Sequence, residues 1–106
     1  MTDKELCAIH KHSFMNREEV NRSKNCGCFY CETIFPTDVM DPEEDFTDWG
    51  ATALCPYCGI DSVIGDASGI PITKEMLHEM DVYFFSWHQL ISAQILGGLG
   101  RNSYLW

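Results

Sequence analysis

Positive charge is what this chain has least of. Seven Lys and Arg stand against sixteen Asp and Glu, for a formal net charge of −9 at pH 7. The shortage is uneven: residues 1–25 carry five basic and four acidic residues, whereas residues 26–106 carry two basic and twelve acidic ones. Sequence-independent binding to nucleic acid depends on Lys and Arg neutralising phosphates, so the acidic portion excludes direct nucleic-acid binding as the expected role. No apolar run reaches the roughly eighteen residues that a membrane span requires, and the start of the chain has no charged segment followed by an apolar stretch and a cleavage site. The expectation is a cytoplasmic protein with no membrane contact. There is no glycine-rich phosphate loop, which sets aside nucleotide hydrolysis. No histidine falls between Gly59 and Glu75, so the histidine set that follows a C-x-x-C-G knuckle in treble-clef zinc nucleases is missing.

The chain does hold six cysteines, four of them in two C-x-x-C pairs, Cys28-Phe29-Tyr30-Cys31 and Cys55-Pro56-Tyr57-Cys58, with twenty-three residues between the pairs. Two intervening residues let a tight loop turn both sulfurs toward one point while backbone N–H groups face them. Two such loops supply the four thiolates of a tetrahedral Zn²⁺ site at about 2.3 Å each. Pro56 pre-sets the first turn dihedral of the second knuckle, and Gly59 accepts the positive φ on leaving it. Cys28, Cys31, Cys55 and Cys58 are therefore the expected metal ligands and Zn²⁺ the expected cofactor. Knuckle spacing favours the reduced, metal-bound state over three disulfides. Four thiolates around one divalent ion add a net −2, which deepens the local acidity.

Around this centre the chain reads as one α+β domain over 1–106: an N-terminal helical segment over 1–25, a zinc-ribbon-like core of β-hairpins over 26–65, a long C-terminal helix over 73–97 and an apolar tail over 98–106. Thr2 and Glu5 stand at capping-box spacing ahead of Leu6 and Ile9. Asn16 is positioned to cap a second short helix that has Glu19 in its first turn. Thr33-Ile34-Phe35 is strand-like up to Pro36. Residues 36–48 contain six acids and two prolines and read as a loop inserted between strands, pinned by Phe46 and Trp49. Ala51 to Leu54 and Ile60 to Ile64 flank the second knuckle as a second hairpin. Thr73 caps a helix whose apolar residues Met76, Leu77, Met80, Tyr83, Phe84, Trp87, Ile91 and Ile95 recur at threes and fours. A rod of 23 residues would be about 34 Å long and would overhang a ribbon. Its far half must meet the N-terminal helices, bend back at Ser86, or form the seam of a homodimer.

Other constellations carry less. Cys7, His10, His12 and Cys26 are ligand types, with Cys7 and His10 at ligand spacing, and a second metal site there is the alternative to free or packed thiols and surface histidines. Glu75 and His78 have the spacing used in carboxylate-bridged two-metal helical bundles, but those need two such motifs and this chain has one. His78 and His88 are about 15 Å apart along a helix and cannot share an ion.

Cys26-Gly-Cys-Phe-Tyr-Cys31, Thr52-Ala-Leu-Cys-Pro-Tyr-Cys-Gly-Ile-Asp-Ser-Val-Ile-Gly65 and Gly69-Ile-Pro-Ile-Thr73 resemble a family of small uncharacterised bacterial cytoplasmic proteins of zinc-ribbon-like type. The resemblance covers residues 10–85 and implies a cytoplasmic zinc-binding protein with Cys28, Cys31, Cys55 and Cys58 as ligands. It implies no activity. The chain departs from that pattern in the acidic insertion at 38–48 and the apolar ending after residue 85.

The functional expectation is a non-enzymatic zinc protein that binds a protein partner with a basic surface, an acidic inhibitor or immunity-type protein of phage or mobile-element origin. The alternatives are an enzyme whose zinc keeps an open coordination position, and a nucleic-acid-associated ribbon.

Overall fold

The computed structural model describes residues 1–47 and 49–95, with side chains as far as Phe85. Helix α1 spans Asp3–His10 and begins with the expected capping box, Glu5 N–H donating to Thr2 Oγ1 and Thr2 N–H to Glu5 Oε1. Two orphan donors of the first turn are thereby satisfied. A 3₁₀ turn at Lys11–Ser13 leads to α2, Arg17–Asn21. Strands β1 (Asn25–Cys28), β2 (Ile34–Pro36) and β3 (Val63–Gly65) form one antiparallel sheet in the order β2-β1-β3. Cys26 pairs with both Phe35 and Gly65, and Gly27 with both Ile34 and Ile64.

The two-residue period of the strands divides the interior. Cys26, Cys28 and Val63 face one side, where Val20, Phe35, Phe46, Ala53 and Cys55 complete a buried cluster. Phe29 and Ile64 belong to the other, with Leu6 and Ile9 from α1 and Met76, Leu77 and Met80 from the following helix. Gly27 lies at the centre of the sheet because no side chain fits there. A Cβ would stand 2.8 Å from Ile72 Cγ2 and 2.9 Å from Leu77 Cδ1.

Helical residues then run over Lys74–Ile95 (α3). Thr73 caps this helix as expected, its Oγ1 accepting from Met76 N–H at 3.1 Å. The helix is not one straight rod. Phe85 has non-helical dihedrals, φ −127° and ψ 28°, and separates two helical stretches, one residue from the bend considered at Ser86. The last residues of the expected 73–97 helix, the apolar tail at 98–106 and a homodimer seam built on them lie outside the described residues.

Three local expectations are corrected. Asn16 makes no side-chain capping bond to α2, because its amide is used in tertiary bonds instead. Only Phe46 pins the acidic stretch: it is buried under the Arg17 guanidinium, 4.2 Å from ring centroid to Cζ, whereas Trp49 is 62% exposed. The flanks of the second knuckle do not pair with one another as a ladder. Ala53 bridges to Phe46, and Val63–Gly65 pairs with β1. Closing the three-stranded sheet buries Val63 and Ile64 fully, which a free-standing hairpin would not do.

Candidate metal centre

Each knuckle is built from local hydrogen bonds. In the first, Cys28 N–H donates to the Thr33 carbonyl at 3.0 Å and Tyr30 N–H to Cys28 Sγ at 3.3 Å. In the second, Cys55 N–H donates to the Ile60 carbonyl at 2.9 Å, Gly59 N–H to the Cys55 carbonyl at 2.8 Å, and Tyr57 N–H to Cys55 Sγ at 3.3 Å. The residue after the second cysteine has positive φ in both, +60° at Glu32 and +79° at Gly59. Glycine accepts that conformation without cost. Glutamate does not, so the first knuckle holds a strained backbone position.

The sheet brings the knuckles together. The Cys28 and Cys58 sulfurs are 3.7 Å apart, as are those of Cys31 and Cys55, and all four lie within 4.8 Å of one another. A tetrahedron with sulfur about 2.3 Å from its centre has edges of about 3.8 Å, so four thiolates in this arrangement fit a single tetrahedral ion. Cys28 and Cys55 are buried, Cys31 and Cys58 half-buried. Hydrogen bonding with Cys55 and Cys58, reinforced by burial, pushes the Cys28 thiol far above its ordinary range. Hydrogen bonds from Cys28 and Cys58 bring Cys55 down to about 2. One negative charge is thus shared among neighbouring thiols, and ionising the others at this separation calls for a cation at the centre. The four cysteines can hold a metal ion, and every one of them was legible from spacing.

The alternative site is not assembled. Cys7 is exposed on α1, and Cys26 is buried on the sheet with its Sγ 3.4 Å from Thr37 Oγ1. Burial pushes the Cys26 thiol up. His12 Nδ1 pairs with Glu19 Oε1 at 2.8 Å, and the His10 ring stacks 4.4 Å from Phe84. These four residues do not converge.

Sequence reasoning missed the neighbour of this centre. His78 meets Glu32 rather than Glu75, with Nδ1 3.0 Å from Glu32 Oε2. The one available signal was the glutamate of C-x-x-C-E at the position where the second knuckle has glycine.

The acidic stretch has its own order. Asp41 Oδ1 accepts from Glu43 and Glu44 N–H groups at 2.8 and 2.9 Å, and those bonds lower the Asp41 pKa. Arg17 ties the stretch to α2, donating to the carbonyls of Pro42 and Gly50 at 3.1 and 3.2 Å. Among the described residues no helix is long and apolar enough to cross a membrane. Comparison with protein families, curated proteins and solved structures finds no match for this chain.

Proposed function

We propose that this chain is a non-enzymatic structural-zinc protein that acts by binding another protein. Zinc suits a set of four thiolates with tetrahedral edges, and four protein ligands leave it no position for water or substrate. The same closure argues against the catalytic alternative, which requires an open position.

The observation that carries the binding reading is an apolar patch beside the acidic stretch. Phe14 is 60% exposed, Met15 58% and Trp49 62%, and the Phe14 and Trp49 rings meet edge to face with centroids 6.4 Å apart. Arg17, two residues after Met15, bonds the carbonyls of Pro42 and Gly50, which ties the stretch holding Glu43, Glu44 and Asp45 to the segment that carries this patch. Aromatic residues at the centre with charge of one sign at the rim are the make-up of a protein interface, and the charge selects a partner with a basic face. An acidic inhibitor or immunity-type role, of phage or mobile-element origin, is the form of this reading that suits the size and charge of the chain.

The test is photo-crosslinking from position 49 in cells, with position 75, exposed at the start of α3, as control. The expected result is one discrete protein adduct specific to position 49 that disappears when Phe14 is changed to Ala or when Asp41, Glu43 and Glu44 are neutralised. Adducts to nucleic acid, or identical adducts from both positions, would overturn it.

A further inference from the structure

Outside the cysteine centre, the ligand atoms of Glu32, His78 and Asp81 also converge, all within 4.8 Å of one another. His78 and Asp81 are three residues apart on α3 and leave the same face of the helix. Glu32 reaches them from the first knuckle, turned there by its positive φ. Glu32 Oε2 lies 3.0 Å from His78 Nδ1, and Asp81 is only 4% exposed. Two carboxylates gathered against one imidazole carry more negative charge than a single imidazolium offsets, and a divalent cation would complete the balance. The ammonium of Lys74 is engaged elsewhere, 3.2 Å from the Glu32 backbone carbonyl. The imidazole of His78 is exposed and faces Glu32 through Nδ1, so a cation entering the cluster would take the place of the hydrogen bond between them.

We propose that Glu32, His78 and Asp81 form a second divalent-cation site, which clips the first knuckle to α3. One imidazole nitrogen and two carboxylates are a donor set for a first-row ion such as zinc or manganese, with the remaining positions taken by water. The site is independent of the cysteine centre in its ligands and adjacent to it through the Cys31–Glu32 peptide. A cation there would couple the docking of α3 to the knuckle, because its ligands come from both elements. It also gives the glutamate at the strained knuckle position a role that glycine could not fill.

The experiment uses the full chain with its cysteine centre loaded with cobalt, whose thiolate charge-transfer absorption reports that centre alone. Manganese, which competes poorly for thiolates, is then titrated by calorimetry, and Tm is followed by circular dichroism. The expected result is a further equivalent of manganese, a rise in Tm on its binding, and weakening by about tenfold or more in His78→Ala and in Asp81→Asn, with the charge-transfer band unchanged. His78 is exposed, so its replacement leaves folding intact even if Asp81→Asn does not. The proposal is overturned if the wild type takes up no further equivalent, or if the further equivalent is indifferent to His78→Ala; the cluster then holds an ion pair of His78 with Glu32 and no cation. A further equivalent without any charge-transfer band would keep this site and overturn the four-thiolate centre instead.

Discussion

The side-chain amide of Asn16 donates to the Val63 carbonyl across the sheet at 2.8 Å. The same amide donates to the His12 carbonyl at 2.8 Å and accepts from Ala53 N–H at 3.0 Å, and Asn16 is 4% exposed. One buried residue thus joins the N-terminal segment, the segment ahead of the second knuckle and β3. Asn16→Ala would leave a buried carbonyl and a buried N–H without partners, a loss of about 3 kcal/mol. Asn16→Asp keeps the acceptor but removes both donor bonds and buries a charge, so it is expected to cost at least as much at pH 7. Urea denaturation of the zinc-loaded protein measures both.

Native mass spectrometry of the cysteine variants tests the centre. Alanine at Cys28, Cys31, Cys55 or Cys58 is expected to abolish zinc binding and folding together, because structural zinc contributes binding free energy on the order of 10 kcal/mol to the folded state. Cys7→Ser is expected to change nothing measurable, its thiol being exposed. Cys26→Ser keeps the metal stoichiometry, and its hydroxyl can bond Thr37 Oγ1, so its cost is expected at or below the low end of the about 1–3 kcal/mol of an unpaired buried hydroxyl. A folded, zinc-free variant at any one of the four knuckle positions would favour the open-site alternative.

The pH dependence follows from the same thiols. Cys55 is already held low, at about 2, while Cys28 is held high by its neighbours and by burial. Binding the ion as four thiolates must therefore expel the remaining protons, about three near neutral pH. Mass action then makes zinc affinity fall as pH falls and rise as pH rises. Calorimetry in buffers of different ionisation enthalpy counts the protons released, and a count of zero would contradict four-thiolate ligation.

Gly27→Ala tests how closely α3 sits on the sheet. The new methyl group would press on Ile72 and Leu77, and overpacking at a filled position costs about 1–3 kcal/mol. The loss is expected in thermal unfolding, with zinc content unchanged.

Two aromatic residues of the acidic region separate stability from binding. Phe46→Ala removes a buried ring from beneath Arg17 and is expected to cost about 3–4 kcal/mol. Trp49→Ala touches an exposed ring and is expected to leave Tm within the error of measurement while abolishing the protein adduct captured from neighbouring surface positions.

Features whose causes lie within a few residues were legible in the sequence alone. Two C-x-x-C spacings picked out the four cysteines, Thr2 with Glu5 marked the start of α1, Thr73 marked the start of α3, and Thr33-Ile34-Phe35 marked β2. For the knuckles and the helix starts the hydrogen bonds close within about one turn, and β2 pairs with β1 only 7 to 11 positions away, so nearby residue types suffice to determine them. What only the tertiary structure decided involves partners far apart in the chain. Asn16 had a local use as a cap, but it gains more as a buried brace because three backbone groups separated from it by 4 to 47 positions would otherwise lack partners. Val63–Gly65 pairs with β1 instead of completing a second hairpin because that pairing buries its side chains. Glu32 meets His78 across 46 positions, a contact that depends on where α3 lands against the first knuckle, and that position is set by the packing of Met76, Leu77 and Met80 on the sheet rather than by any residue next to either partner.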